Sequence, residues 1–488
     1  MYWKQARKGL KPLAGLMFMV AAFAEAAPAG ISKEACFIDG VDEQLQCGFV
    51  SVPENHQQPG ERRLRIHYAI LPAITEAKKN DPLLILAGGP GQAATELAPM
   101  IARMFEGVRK QRDILLIDQR GTGKSHALSC DIEHADELIR TDDEQDLEQM
   151  ANDCRQQYPH TDLTQYSTLN SIRDFEQVRS QLGIQQLNLY GASYGTRVGL
   201  KYLQQYPDSV RTLTLDAVAP PQVVIGPFGL NGSAAFQAML RDCRQQTACA
   251  EQFPQLQADY QQVMESLETQ GQLLETKDPL TNEPLTLRMT AGRFSSVVRM
   301  GLYSPFTRQL LPYAISQASQ QNYQPILGLM GGTTIEAQNS IYLGLMLSVV
   351  CSEDLPRADS QLFASDADND FIGGRTGEAF KAMCAGWVTD PVDPAWAKPV
   401  QSDKPVLLLS GSQDPVTPAA WGDLAAQTLS NSRHLVAEHA SHTIAGHTCA
   451  NKLVADFIET ARVETLDDSC LQQRRLQPFV LNANGQGL

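Results

Sequence analysis

The sequence has none of the spacings that hold metal ions. No C-x-x-C, no H-E-x-x-H and no Cys/His cluster at zinc spacing is present, so a metal site has little support. Fixed-period repeats and low-complexity tracts are also missing, which removes solenoid and disordered readings. Positive charge is scarce: 40 Lys and Arg face 55 Asp and Glu, for a net charge of −15. That balance disfavours nucleic acid and anionic membrane surfaces as partners, although it says nothing about fold. The apolar run near the start, Leu13 to Ala24, is too short to span a bilayer.

That run follows a basic stretch with Lys4, Arg7, Lys8 and Lys11, and Ala24 and Ala26 flank Glu25 in the A-x-A form of a cleavage site. The pattern predicts a signal peptide over 1–26 and a chain exported to the periplasm or exterior, with no stable membrane anchor after cleavage. No cysteine sits just after the cut, which argues against a lipoprotein. Removal takes away four positive charges and one negative, lowering the net charge from −15 to −18. Ten cysteines in an exported chain point to disulfides, and their order offers the local pairs Cys36 with Cys47, Cys130 with Cys154, Cys243 with Cys249, Cys351 with Cys384, and Cys449 with Cys470.

At 488 residues the chain exceeds what one core usually covers. Short apolar runs bounded by Gly, Pro or Asp recur in the first half: GFVSV from Gly48, LLIL from Leu83, ILLI from Ile114, LNLY from Leu187 and TLTL from Thr212. They read as buried parallel strands, with helical stretches such as Asp174 to Leu182 and Thr196 to Tyr206 between them. After Asp216 the rhythm stops, and helical spacing takes over at Ala234 to Asp242, Ala291 to Leu302, Thr307 to Ser319 and Ile335 to Val350. It returns with VLLL from Val406 and HLVA from His434, before a helical end around Asn451 to Ala461. The expectation is an α/β doubly wound, mostly parallel sheet formed by 27–221 and 401–488, interrupted by a large helical cap insertion at 222–400 that narrows access to a site.

The strongest motif is Gly191-Ala192-Ser193-Tyr194-Gly195, between LNLY and a helical pattern. A G-x-S-x-G in strand, turn and helix context is the nucleophile elbow of the α/β-hydrolase fold, and it nominates Ser193. Upstream, LLIL runs into Ala87-Gly88-Gly89-Pro90-Gly91, a loop whose backbone can approach a reacting carbonyl. Developing negative charge needs two preorganised N–H donors, here those of Gly89 and Tyr194. A serine hydroxyl needs a base, and the base needs an acid that fixes its tautomer, in the chain order Ser, acid, His. Asp414 follows VLLL and fits the acid. Beyond it stand His434, His439, His442 and His447; His442 is chosen, with His447 and then His439 as alternatives.

With those residues assembled, the chain resembles the S33 peptidases, the proline iminopeptidase and tripeptidyl-aminopeptidase-like group. AGGPG is similar to the family's HGGPG loop, DQRGTGKS from Asp118 to its DQRGxGxS signature, and GASYG to its elbow. His442 precedes Cys449 by the seven residues seen in the secreted branch, and LDDSC ending at Cys470 looks like the motif that supplies the partner cysteine. Two features depart from the pattern. Ala87 stands where the loop commonly begins with His, and His442 lacks the usual Gly-His-Gly setting.

The resemblance implies a secreted serine exopeptidase that takes peptides with a free N-terminus and works through an acyl-enzyme without a cofactor. It also implies carboxylates in the cap for the substrate amine, with Glu353 first and Asp354 second; an ammonium in a partly buried pocket needs an opposite charge. Asp118 and Arg120 read as structural braces. A carboxylesterase or lipase would use the same triad on an ester, and a non-catalytic binding protein would need no intact triad.

Overall fold

A computed structural model describes residues 33–60, 62–130, 139–278, 281–335 and 340–485. The signal-peptide reading of 1–26 lies outside them. Among the described residues no helix is long and apolar enough to cross a membrane.

The strands are β1 (Glu34–Cys36), β2 (Leu45–Pro53), β3 (Arg63–Leu71), β4 (Leu83–Leu86), β5 (Ile114–Ile117), β6 (Leu187–Ala192), β7 (Val210–Asp216), β8 (Gln272–Lys277), β9 (Pro284–Met289), β10 (Val406–Gly411) and β11 (Ser432–Ala437). Nine of them form one sheet in the order β1-β2-β3-β5-β4-β6-β7-β10-β11. From β5 to β11 every neighbouring pair is parallel, and the β1-β2-β3 edge is antiparallel. The unbroken apolar runs LLIL and ILLI are β4 and β5, buried at every residue because structure covers both faces of the parallel part.

GFVSV departs from its reading as a buried parallel strand. It lies in β2, antiparallel to β3, and its exposure alternates, with Val50 and Val52 buried while Phe49 and Ser51 face solvent. One open face suffices for an antiparallel pair, and alternation follows. β3 had no place among the expected strands, and its polar first half, RLRIH, hides it among loops.

Between β7 and β10 the chain is mostly helical, as the spacing predicts, and it also holds the β8-β9 hairpin, which the helical reading does not include. The hairpin is half exposed, and Leu287 and Met289 of β9 join an apolar cluster with Phe236, Tyr260, Phe294 and Phe371. Phe236 and Phe371 stack at 4.5 Å. The end of the insertion packs elsewhere: Leu345, Leu347, Val349, Cys351 and Trp387 share a cluster with the strand residues Leu84, Leu189 and Leu215. A cut of the chain at 222 and 400 therefore crosses one continuous core. Five disulfides join Cys36–Cys47, Cys130–Cys154, Cys243–Cys249, Cys351–Cys384 and Cys449–Cys470.

Candidate active site

β6 ends at Ala192 and a helix begins at Tyr194, which leaves Ser193 alone on the turn at φ 55° and ψ −122°. Only a crowded, over-determined turn holds a non-glycine residue in that region. The glycines of the motif explain the crowding: a Cβ on Gly195 would run into the Leu86 carbonyl, and one on Gly191 into the Gly195 carbonyl. The Ser193 N–H donates to the Asp216 carbonyl at 2.9 Å, tying the turn to the end of β7.

Tyr194 opens the helix Tyr194–Gln205, and a first-turn N–H has no intrahelical acceptor. The positive end of that helix points at the turn. The AGGPG loop lies against it, since a Cβ built on Gly88 would sit 3.4 Å from the Ser193 Cβ. Gly89 has φ +104°, a conformation that glycine adopts without strain. Gly89 and Tyr194 are thus on the two segments that flank Ser193.

Asp414 sits in the turn after β10 and is 5% exposed. Its Oδ1 accepts the N–H groups of Val416 (2.8 Å) and Thr417 (2.9 Å), and its Oδ2 accepts the Thr417 hydroxyl at 2.8 Å. The same Oδ2 lies 2.8 Å from His442 Nδ1. Three of these four contacts are local turn chemistry that fixes the carboxylate before it meets the imidazole, as an Asx turn does. Thr417, whose Oγ1 is also 3.3 Å from His442 Nδ1, was not singled out in the sequence; its signal is a hydroxyl three residues after Asp414. Burial by itself would push the His442 pKa down, but the Asp414 charge and hydrogen bond, with Asp216 behind, outweigh it and hold the imidazole above the ordinary histidine value; Arg299 pulls the other way. Tyr303 from the insertion packs its ring edge on the imidazole at 5.2 Å between centroids, and its carbonyl accepts the His442 N–H at 3.1 Å.

The other histidines have different surroundings. His447 is pushed down to about 4 by burial, with Arg474 and His442 adding to it. His434 lies between Asp423 (2.8 Å) and Ser410 (2.9 Å). His439 lies in the turn after β11, where its N–H donates to Ser412 Oγ. Asp414 reaches only His442 among these four.

Asp216 is a second residue that sequence reading passed over. It ends β7 fully buried, and its carboxylate accepts the N–H groups of Ile444 (2.8 Å) and Ala445 (2.9 Å) and the Tyr190 hydroxyl (2.7 Å). It fixes the loop that carries His442. Burial raises its pKa despite these donors.

The amine-binding reading of Glu353 and Asp354 is corrected by the structure. Both are 0% exposed. Glu353 takes the Thr168 N–H at 2.7 Å and the Thr168 hydroxyl at 2.6 Å, and the same hydroxyl is 2.6 Å from the Tyr194 phenol. Asp354 takes Arg197 Nη1 on both oxygens at 2.8 and 2.9 Å and the Ile225 N–H at 2.9 Å. Carboxylates already occupied inside the core offer nothing to an ammonium from solvent. Asp354 ties the insertion to the helix that follows Ser193, and Glu353 ties it to the start of the helix Thr168–Gln181. Asp118 and Arg120 do not pair with each other: Asp118 holds Thr95 and His67, and Arg120 is bidentate to Asp174 at 2.7 Å. A surface cleft of about 520 Å³ lined by Arg155, Tyr158 and Val388 contains none of these residues.

Comparison with known proteins places the fold and the relatives of the chain. Residues 81–309 match the family model described as alpha/beta hydrolase fold, and residues 369–470 match that of the TAP-like proteins. The tripeptidyl aminopeptidase of Streptomyces lividans is 24% identical over 492 residues, covering 94% of this chain and 89% of the relative. Serine protease Hip1 of Mycobacterium tuberculosis is 24% identical over 447 residues, 84% of each chain. Carboxylesterase B of the same species is 26% identical over 417 residues, 78% of each. The resemblance to the S33 peptidases read from four short motifs thus extends over most of the chain.

Proposed function

We propose that this chain, a serine hydrolase of the α/β-hydrolase fold with a TAP-like C-terminal region, is an exported aminopeptidase that removes one or more residues from peptide N-termini. The observation that carries the hydrolase chemistry is the Asp414–His442 pair at 2.8 Å, held by Asp216 to the same strand end that holds Ser193, and the peptide substrate is supported by the relatives. Ser193 Oγ attacks the scissile carbonyl carbon and passes its proton to His442. The N–H groups of Gly89 and Tyr194 receive the oxyanion, and Asp414 stabilises the imidazolium. As the C–N bond breaks, His442 protonates the leaving amine. Water, deprotonated by His442, then cleaves the acyl ester, which releases the N-terminal fragment and restores Ser193. These steps use only the named groups and water.

Two features support export: the basic and apolar pattern at the start of the sequence and the use of all ten cysteines in disulfides. The names of the Streptomyces and Hip1 relatives support a peptide substrate, and the carboxylesterase relative supports an ester as the second reading. The test is hydrolysis of Pro, Ala and tripeptide anilides, each free and N-acetylated, beside short acyl esters, with Ser193→Ala as control. Cleavage of free-amine anilides and rejection of their acetylated twins is the expected result. Cleavage of esters alone would move the protein to the esterase reading.

A further inference from the structure

Arg299 stands in the helix Ala291–Gly301 of the insertion and reaches towards the base without an anion of its own. Its Nη1 donates to the Tyr303 hydroxyl at 3.1 Å, and its Nη2 lies 3.8 Å from the Met300 sulfur. The guanidinium carbon is 5.5 Å from the centre of the Tyr303 ring and 5.7 Å from that of Phe228. No carboxylate among the described residues pairs with it. Other arginines that the fold encloses do have one: Arg120 holds Asp174, Arg197 holds Asp354 and Arg308 holds Asp242. The contrast is sharper in a chain with 55 acidic against 40 basic residues, where an anion for Arg299 was not scarce.

The position relates this charge to catalysis. Tyr303 is a single ring between the two groups, with its hydroxyl on Arg299 and its edge on His442. The Arg299 charge is felt at the imidazole, whose pKa it draws down. A half-buried guanidinium between two aromatic rings keeps its fork of donors oriented and only partly hydrated, the state in which a carboxylate is bound best. His442 hands its proton to the leaving amine, and Arg299 stands one ring away from it, behind Tyr303.

We infer that Arg299 is a specificity residue that receives a free carboxylate of the leaving fragment, which makes short peptides with an unblocked C-terminus the substrate class. The inference rests on the aminopeptidase reading above. A neutral C-terminal amide loses the charge-assisted bond, and a cationic end is repelled.

The experiment compares tetrapeptides of one sequence, as C-terminal acid and as C-terminal amide, each with a free and an acetylated N-terminus, on the mature full chain. Wild type is expected to favour the acid in kcat/KM by roughly tenfold or more, chiefly through KM, as a partly solvated charge-assisted bond allows. In Arg299→Gln the ratio falls to near one, and Arg299→Lys restores part of it. Acid and amide share one triad, so any change in the pKa of His442 or in the folded fraction cancels in the ratio. A wild-type ratio near one, or a ratio unchanged in Arg299→Gln, would overturn the inference. Equal cleavage of the acetylated peptides would instead sink the aminopeptidase reading, and the proposed role of Arg299 would fall with it.

Discussion

Asp216 bonds to both halves of the site: its backbone carbonyl accepts the Ser193 N–H at 2.9 Å, while its carboxylate accepts the N–H groups of Ile444 and Ala445, next to His442. Nucleophile and base come from segments about 250 residues apart in sequence, on the scale of a whole domain, and one buried residue at the end of β7 joins them, through its carbonyl on one side and its carboxylate on the other.

Asp216→Ala should therefore damage the site and the fold together. Two buried N–H groups and the Tyr190 hydroxyl would lose their acceptor, at a cost of about 1–3 kcal/mol each before relaxation. The expected outcome is a clear fall in the denaturation midpoint together with a fall in kcat. Asp216→Asn, which keeps one acceptor oxygen, should be milder in both. Wild-type stability in Asp216→Ala would show that the clamp is not structural.

Ser193→Ala should abolish covalent labelling by a fluorophosphonate and lower kcat by about 10⁴-fold or more, while the thermal midpoint stays close to wild type. Retained labelling would place the nucleophile elsewhere.

The base must be neutral to accept the serine proton, and its pKa is held above the ordinary histidine value. Activity is therefore lost as pH falls through that raised value, so the acid limb of kcat/KM lies above about 6.5. Asp414→Asn removes the charge that raises it, moves the limb to lower pH and costs on the order of 10⁴ in kcat. Thr417→Val, which deletes only the hydroxyl on Asp414 Oδ2, should cost far less, about tenfold, the worth of one hydrogen bond. A profile that does not move in Asp414→Asn would contradict the pairing.

Glu353 gives a prediction about stability. Burial pushes its pKa up to about 7, against the ordinary 4.5 of a glutamate. The folded state therefore binds its proton more tightly than the unfolded state does. The stabilisation is fully present below about pH 4.5 and is lost as pH rises through about 7, on the order of 3 kcal/mol in all. Glu353→Gln should flatten the decline of the thermal midpoint between pH 5 and 8. It should leave the discrimination between free and acetylated amines as in wild type, because the carboxylate faces Thr168 and not solvent. Selective loss of free-amine substrates in this variant would reinstate the amine role.

Much of this protein was legible in its sequence because the decisive signals are local. The runs LLIL, ILLI, LNLY, TLTL and VLLL are buried on both faces and so declare themselves as strands β4, β5, β6, β7 and β10. Ser193 is marked by the glycines its turn requires, and Asp414 by the end of a strand. Tertiary structure decided the rest. Which of four histidines faces Asp414 depends on the path of a loop that Asp216 pins from across the sheet. Glu353 and Asp354 look like a solvent-facing acidic pair in one dimension, yet packing turns both inward onto Thr168 and Arg197. Arg299 has nothing in its sequence neighbourhood to set it apart, since a charge with no carboxylate partner among the described residues is defined by the residues that fail to reach it. Periodicity and turn chemistry act within a few residues, whereas burial and charge pairing depend on which distant segments meet in space.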